Sequence, residues 1–113
     1  NNLLSRLKNV QLPLTKTDYA TNIYWVYGIV LKSELRINAK EVMKKMTNEG
    51  IGCRPFFYPM HLQPVFKKYN LFNGQNYPIA ENLYERGFYI PSGLSLNKKK
   101  ISHIADVLYK ILN

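Results

Sequence analysis

The chain has 113 residues, of which 46% are hydrophobic and 20% charged, with a formal net charge of +9. This length encloses one hydrophobic core and this composition is typical of a globular chain, so we expect a single domain over residues 1–113. No apolar stretch reaches the ~18 residues that a membrane span requires, and no signal peptide pattern is present. We therefore expect no membrane partner and a cytoplasmic location.

The positive charge raises nucleic acid as a partner, because clustered cations gain from counterion release at phosphates. Twelve of the sixteen cations are lysines, however, and they are scattered, with the longest run at Lys98, Lys99 and Lys100. A run of three cations is more typical of a solvated helix face. Twelve asparagines accompany the lysines, so compositional bias explains the charge equally well. A basic module that binds nucleic acid or a nucleotide therefore remains an alternative of lower weight.

Residues 3–8 place three leucines at helical spacing and predict the last turns of a helix, and Pro13 predicts an extended connection after it. The run IYWVYGIVLK, residues 23–32, predicts a central strand covered on both faces, since it is continuously β-branched or aromatic. Asn38 can cap a helix over 39–49, with Glu41 at the third helical position, and Gly50 predicts its end.

IGCRPFFY, residues 51–58, predicts a second strand, and Pro55 favours an edge position. Residues 59–77 are predicted to be irregular, with one short helix near 62–69. Pro78 begins a predicted helix over 78–86 that would bury Ile79, Ala80 and Leu83 and end at Gly87. FYIP, residues 88–91, predicts a small edge strand.

The clearest helix begins after Asn97 and places one set of apolar residues on a single face, with His103 on the opposite face. That set consists of Ile101, Ile104, Ala105, Leu108, Ile111 and Leu112. The element order predicts an α+β fold, in which helices pack against a small, mainly antiparallel sheet of about three strands.

Candidate chemistry is concentrated in GIGCRPFFYPMH, residues 50–61. The lone Cys53 cannot form an internal disulfide, and no Cys or His spacing resembles a metal site. Cys53 and His61 could be a nucleophile and its base, but a buried, inert thiol is favoured. Arg54 lies in an apolar strand and therefore pairs with a carboxylate of the fold or faces an anionic ligand.

Two further residues of this stretch are candidates for ligand contact. His61 follows the fixed backbone of Pro59 at the end of the predicted strand, where a side chain can reach a ligand. Tyr58 can line the same pocket, whereas core packing is favoured for Phe57.

Three segments of the chain form a combined pattern, namely NIYWVYGIVL, NEGIGCRPFFYPMHLQPVF and YPIAENLYERGFYIPSGLSLNKKKISHIADVLYKIL. The most specific parts of the pattern are G-I-x-x-R-x-F-x-Y-P-x-H and the segment that ends in I-P-S at Ser92. Taken together, the segments resemble the C-terminal domain of the DegT/DnrJ/StrS family of pyridoxal-phosphate-dependent sugar aminotransferases. The similarity runs from about Leu12 to Leu112.

The resemblance implies a chain that is the small domain of a longer enzyme, similar to that of type I aminotransferases, with residues 1–10 as the end of the interdomain helix. It implies substrate contacts at Arg54, Tyr58 and His61. Trp25 matches an aromatic position near the domain junction, although a core role is favoured for it. Implied partners are a nucleotide-sugar substrate, an amino donor, and the large domain or a homodimer partner.

The resemblance also implies pyridoxal phosphate as the cofactor of the full-length enzyme. None of the twelve lysines lies in a context that matches the lysine that binds this cofactor, so no catalytic residue is assigned. We therefore expect these 113 residues to be inactive alone. A pure interaction domain with an exposed apolar surface is a third possibility.

Overall fold

A computed structural model describes residues 1–113. Four strands form one antiparallel sheet in the order β1-β2-β4-β3. The strands are β1 (Val10–Gln11), β2 (Tyr27–Leu31), β3 (Arg54–Pro55) and β4 (Gly87–Ile90). The helices are α1 (Ala39–Asn48), α2 (Pro64–Lys68), α3 (Pro78–Arg86) and α4 (Lys98–Leu112), with a 3-10 helix at Met60–Leu62. The predicted α+β class is confirmed. None of the helices has both the length and the apolar content to cross a membrane.

The core lies on one face of the sheet, beneath α1 and α4. Ile29 and Phe88 are paired across β2 and β4 and are fully buried, and Leu108 of α4 is buried with them. Eleven further apolar residues of the sheet, α1, α4 and the loop after α1 share this cluster, namely Val10, Leu31, Ala39, Val42, Met46, Ile51, Ile90, Ile104, Ala105, Val107 and Leu112. Alternate residues of each strand point to this face, and the opposite face is called the outer face below.

The predicted start of α1 is confirmed in detail. The Glu41 backbone N–H donates to Asn38 Oδ1 at 2.9 Å, and the Asn38 backbone N–H donates to Glu41 Oε2 at 3.0 Å. This reciprocal pair satisfies two backbone donors that the helix cannot satisfy itself. Gly50 follows the helix with φ of +75°, a left-handed conformation that glycine adopts without strain.

We expect Asn38→Ala to lower the free energy of unfolding by about 1 kcal/mol, because the cap bond is lost and Glu41 loses its orienting partner. Urea denaturation followed by circular dichroism measures this change. Asn73→Ala is the control, since the Asn73 side chain is exposed and makes no hydrogen bond. An equal effect of the two substitutions would show that the cap does not stabilise α1.

The strand predicted over 23–32 is shorter and less covered than expected. β2 begins at Tyr27, and only Ile29 and Leu31 are fully buried, so the prediction of cover on both faces is wrong. Trp25 is 80% exposed, which also overturns its expected core role. The apolar side chains that suggested two-sided cover lie on the outer face and before the strand, where no element of this chain packs over them.

β4 is also placed differently from the prediction. It pairs with β2 on one side and β3 on the other, so it is an interior strand rather than an edge strand. The prediction of about three strands missed β1, a two-residue strand at the sheet edge. β3 does lie at the other edge, as Pro55 indicates, but it has only two residues.

Two helical predictions are met only in part, one because the helix packs differently and one because the residues form turns. α3 begins at Pro78 and ends before Gly87 as predicted, yet Ile79, Ala80 and Leu83 are exposed, with Ile79 at 78%. The helix is instead held at its termini and by polar and aromatic contacts, which periodicity does not reveal. Residues 3–8 form turns closed by an i→i+3 bond from the Leu7 N–H to the Leu4 carbonyl, not a regular α-helix. Their assignment to an interdomain helix stays a prediction.

Candidate functional site

The stretch from Arg54 to Leu62, called the 54–62 segment below, runs from β3 to the end of the 3-10 helix. Arg54 pairs with Tyr89 of β4, and Tyr89 pairs with Gly28 of β2. Directly paired residues of neighbouring strands project to the same side of a sheet. The row next to it, Ile29 and Phe88, faces the core, so Arg54 lies on the outer face beside the Tyr89 ring.

Phe56 covers two glycines of the outer face. Its ring stacks on Tyr89 with centroids 4.5 Å apart and lies against Gly28 and Gly87. A β-carbon on Gly28 would be 3.0 Å from Phe56 Cζ, and one on Gly87 would be 2.5 Å from Phe56 Cδ2. These glycines therefore make the space that the ring occupies, and the ring fixes how the 54–62 segment leaves β3.

Arg54 is exposed, and its side chain makes no hydrogen bond or ion pair with the rest of the chain. Of the two alternatives for its guanidinium, pairing with a carboxylate of the fold is therefore wrong. Because β3 is an exposed edge strand, the cation is hydrated and needs no internal partner. The alternative, an anionic ligand from outside this chain, remains.

Tyr58 and Phe57 follow with different environments. Tyr58 is partly exposed and packs edge-on against Tyr84 of α3, with ring centroids 5.0 Å apart. Phe57 is 84% exposed and touches only the edge of Tyr89, at 6.4 Å between centroids. The expected core role of Phe57 is therefore wrong, since the strand ends before it and its side chain points away from the core.

His61 is the buried polar residue of the segment, with 8% of its surface exposed. Its Nε2 lies 2.7 Å from Glu81 Oε1 on α3, and its ring centroid is 4.8 Å from that of Tyr77. The sequence analysis did not identify Glu81 as a partner of His61. No local pattern gives it, because the two residues are twenty positions apart.

Cys53 and His61 do not form a nucleophile and base pair, because Nε2 of that histidine is engaged by Glu81 and no hydrogen bond joins the ring to the thiol. Cys53 is half-buried beside the core, and burial raises the pKa of its thiol to about 11. The thiolate is the reactive form, so the thiol is inert near neutral pH. This agrees with the structural role that was favoured for it.

Alkylation of Cys53 by iodoacetamide is expected to rise with a midpoint near pH 11 in the folded chain, and near pH 8.5 in urea, where the thiol is solvated. Between these values the unfolded chain releases the thiol proton and the folded chain retains it. Stability therefore decreases as pH rises through this window. Rates measured at several pH values with and without urea test this. A folded midpoint at or below that in urea would contradict it.

The other notable surface features lie apart from this segment. The outer face exposes an apolar patch that includes Ile23 and Trp25. A cavity of about 740 Å³ lies between the N-terminal turns, β4 and α4, and is lined by none of Arg54, Tyr58 and His61. No group of three or more His, Cys, Asp or Glu side chains is arranged to hold a metal ion. His103 is exposed, as predicted.

This fold recurs as one part of sugar aminotransferases of known structure. Helicobacter pylori PseC, an aminotransferase involved in the biosynthesis of pseudoaminic acid, superposes with a TM-score of 0.84 at 18% identity over 98% of this chain and 29% of its own. A sugar aminotransferase from Streptococcus pneumoniae in its PLP form gives a TM-score of 0.75 at 18% identity, covering 93% of this chain and 28% of that one.

Sequence comparison gives the family. Residues 1–109 match the DegT/DnrJ/EryC1/StrS aminotransferase family, and the chain belongs to this family. The GDP-perosamine synthase of Vibrio cholerae is 26% identical over 110 residues, which are 96% of this chain and 29% of that protein. The chain thus spans less than a third of the length of the relatives it matches.

The Streptococcus pneumoniae structure above is a form that holds pyridoxal phosphate. A lysine that holds it as a Schiff base must sit in an enclosed site that favours the neutral amine. All twelve lysines of this chain are exposed. The residues present therefore do not fit the cofactor's covalent attachment.

Proposed function

We propose that these residues form the C-terminal domain of a pyridoxal-phosphate-dependent aminotransferase that acts on a nucleotide-linked keto sugar, in the cytoplasm, for amino-sugar and surface polysaccharide synthesis. In this proposal the domain supplies the substrate side of the active site and another part of the enzyme supplies the cofactor lysine. Membership of the aminotransferase family supports it. The observation that carries it is the unpaired Arg54 on an aromatic surface, within the motif that resembles the family.

Arg54 has the chemistry to bind an anion. A guanidinium presents donors that match a phosphate or carboxylate in two parallel hydrogen bonds. It stands on the outer face beside the Tyr89 ring, and the partly exposed Tyr58 lies farther along the same segment. A cation next to aromatic surface suits a nucleotide, because phosphate and base can be bound together. In this proposal Arg54 and Tyr58 contact the nucleotide sugar or the amino donor directly, and His61 belongs to the same wall.

The outer face supports a larger assembly. Exposed apolar patches of this kind mark contact with another protein surface. We propose that the remaining part of the aminotransferase, or its homodimer partner, covers Ile23 and Trp25. Because Trp25 is the one tryptophan of the chain, its fluorescence reports on that cover. We expect an emission maximum typical of exposed indole for these residues alone.

Because the proposal assigns the cofactor lysine to another part of the enzyme, we expect that these residues do not catalyse by themselves. Pyridoxal phosphate with glutamate, followed by borohydride reduction and peptide mapping, should label several exposed lysines at low level without amino transfer. The reason is that no lysine is desolvated, so none is selected over the others. Stoichiometric labelling of a single lysine, with turnover, would contradict this expectation.

Substrate-side binding is tested by titrating the isotopically labelled chain with GDP-mannose, chosen because the Vibrio cholerae relative is named for a GDP-linked sugar. We expect NMR shifts at Arg54 and Tyr58 and none at Lys98–Lys100. Shifts confined to the lysine run would refute the proposal. Tight RNA binding that weakens steeply between low and high salt would instead support the nucleic-acid alternative.

A further inference from the structure

His61 has little capacity left for a ligand. The residue is 8% exposed, its Nε2 lies 2.7 Å from Glu81 Oε1, and its ring centroid lies 4.8 Å from that of Tyr77. Glu81 and Tyr77 are the titratable groups that face it, and both come from α3 or the residue before it. A histidine enclosed in this way is fixed to α3 through its Nε2.

The contacts between α3 and the 54–62 segment are regularly spaced. Glu81 and Tyr84 are three residues apart on α3, and so lie on one side of the helix. They contact His61 and Tyr58, which are also three residues apart. Two matched contacts thus join helix and segment, one polar and one aromatic, over a stretch of chain with no strand pairing.

We propose that Glu81 is a positioning residue that acts through His61. The hydrogen bond from the ring to the carboxylate fixes the 3-10 helix against α3, and this in turn holds Tyr58 against Tyr84 at the end of the sheet. The ligand-facing groups are then Arg54 and Tyr58, and His61 orients them. The substrate-binding role in this inference rests on the proposed function. The contacts of Glu81 with His61 and of Tyr84 with Tyr58 are independent of any ligand.

A buried hydrogen bond adds little to stability when it forms, but its loss is costly when one polar partner stays buried. A buried imidazole that loses its partner keeps the cost of desolvation without compensation. The segment would then move to let water reach the ring, and Tyr58 would move with it. Packing alone cannot replace the bond, because α3 buries none of its apolar side chains. The position of Tyr58 is therefore coupled to a single carboxylate.

The test compares Glu81→Ala and Glu81→Gln by NMR, with Glu85→Ala as a control that removes an exposed carboxylate of the same helix. In the unaltered chain we expect a ring N–H proton of His61 that exchanges slowly with water, and a nuclear Overhauser effect between the Tyr58 and Tyr84 rings. Both should disappear in Glu81→Ala. Both should persist in Glu81→Gln, whose amide oxygen still accepts, and in Glu85→Ala.

Affinity for GDP-mannose gives the second readout. We expect about a tenfold weaker affinity for Glu81→Ala than for Glu81→Gln, the equivalent of the one neutral hydrogen bond that glutamine keeps and alanine loses. A Tyr58 to Tyr84 contact that survives in Glu81→Ala would overturn the inference. If Glu81→Ala does not fold, the unaltered chain decides, and a His61 ring proton that exchanges fast with water would overturn the inference. Failure of GDP-mannose to bind at all, with these NMR signals intact, would count against the proposed function instead.

Discussion

Replacement of Gly87 by alanine is expected to lower the free energy of unfolding by about 3 kcal/mol. The new β-carbon would clash with the Leu83 carbonyl oxygen and lie 2.5 Å from Phe56 Cδ2. The Phe56 ring can move, but the carbonyl belongs to the last turn of α3 and cannot move without distorting the helix. Since Gly87 also begins the interior strand β4, the strain reaches both of its neighbours.

Gly93→Ala is the matched control, because a β-carbon there meets no atom within 4 Å and its φ is not in the left-handed region. That substitution should be neutral or stabilising by up to about 1 kcal/mol, through reduced freedom of the unfolded chain. Urea denaturation of both variants gives the comparison. A loss below about 1 kcal/mol in Gly87→Ala would show that the contact of α3 with β4 is looser than described.

The second large effect is expected for Arg86→Met, which should destabilise the fold by about 3 kcal/mol. The Arg86 guanidinium donates to four backbone carbonyls around the turn from β2 to α1. Nε donates to Leu31 at 3.3 Å, Nη1 to Ile37 at 3.2 Å, and Nη2 to Leu35 at 2.9 Å and to Lys32. Hydrogen bonds from a charged donor contribute roughly 1.5–3 kcal/mol each, and their sum is reduced here by partial exposure.

Methionine keeps most of the side-chain length but leaves the four carbonyls without this donor. Arg6→Met is the control, since Arg6 is exposed and its side chain makes no hydrogen bond. Thermal and urea unfolding should separate the two variants clearly, and amide exchange should accelerate over residues 32–37 in Arg86→Met alone. Equal stability of the two would contradict the role assigned to Arg86.

Local chemistry made parts of this fold predictable. Asn38 with Glu41, Gly50, Pro78 and Gly87 are signals whose effect is confined to one helix end, and each element boundary they predict is found. Most of the predicted apolar face of α4 is also found, since Ile104, Leu108 and Leu112 are buried, but Ile101 in its first turn is exposed.

The burial of the strands and their order in the sheet were less predictable, because both depend on partners distant in sequence. The apolar run around Trp25 suggested two-sided cover, but an apolar run cannot distinguish burial in its own domain from burial against another surface. β4 was expected at the edge because it is short, yet its neighbours are set by the chain path. Ile79 can stay exposed because polar contacts of Arg86 and Glu81, and not apolar side chains, hold α3 in place.

In the candidate site, too, local features were predictable and contacts between residues distant in sequence were not. The segment and its exposed members, Arg54 and Tyr58, were identified from the motif and from the placement of a cation in an apolar strand. That Arg54 stays unpaired depends on the sheet edge, and that His61 is enclosed depends on Glu81, and neither follows from local sequence.

The most direct measurement for the proposed substrate-side role is the dissociation constant of GDP-mannose for Arg54→Ala and Arg36→Ala, two exposed arginines of this chain without side-chain hydrogen bonds. Both substitutions remove one positive charge, so general attraction of the anion changes equally. We predict at least a tenfold weaker affinity for Arg54→Ala and less than a twofold change for Arg36→Ala. Equal affinities of the two variants would contradict the proposal that Arg54 binds the substrate anion.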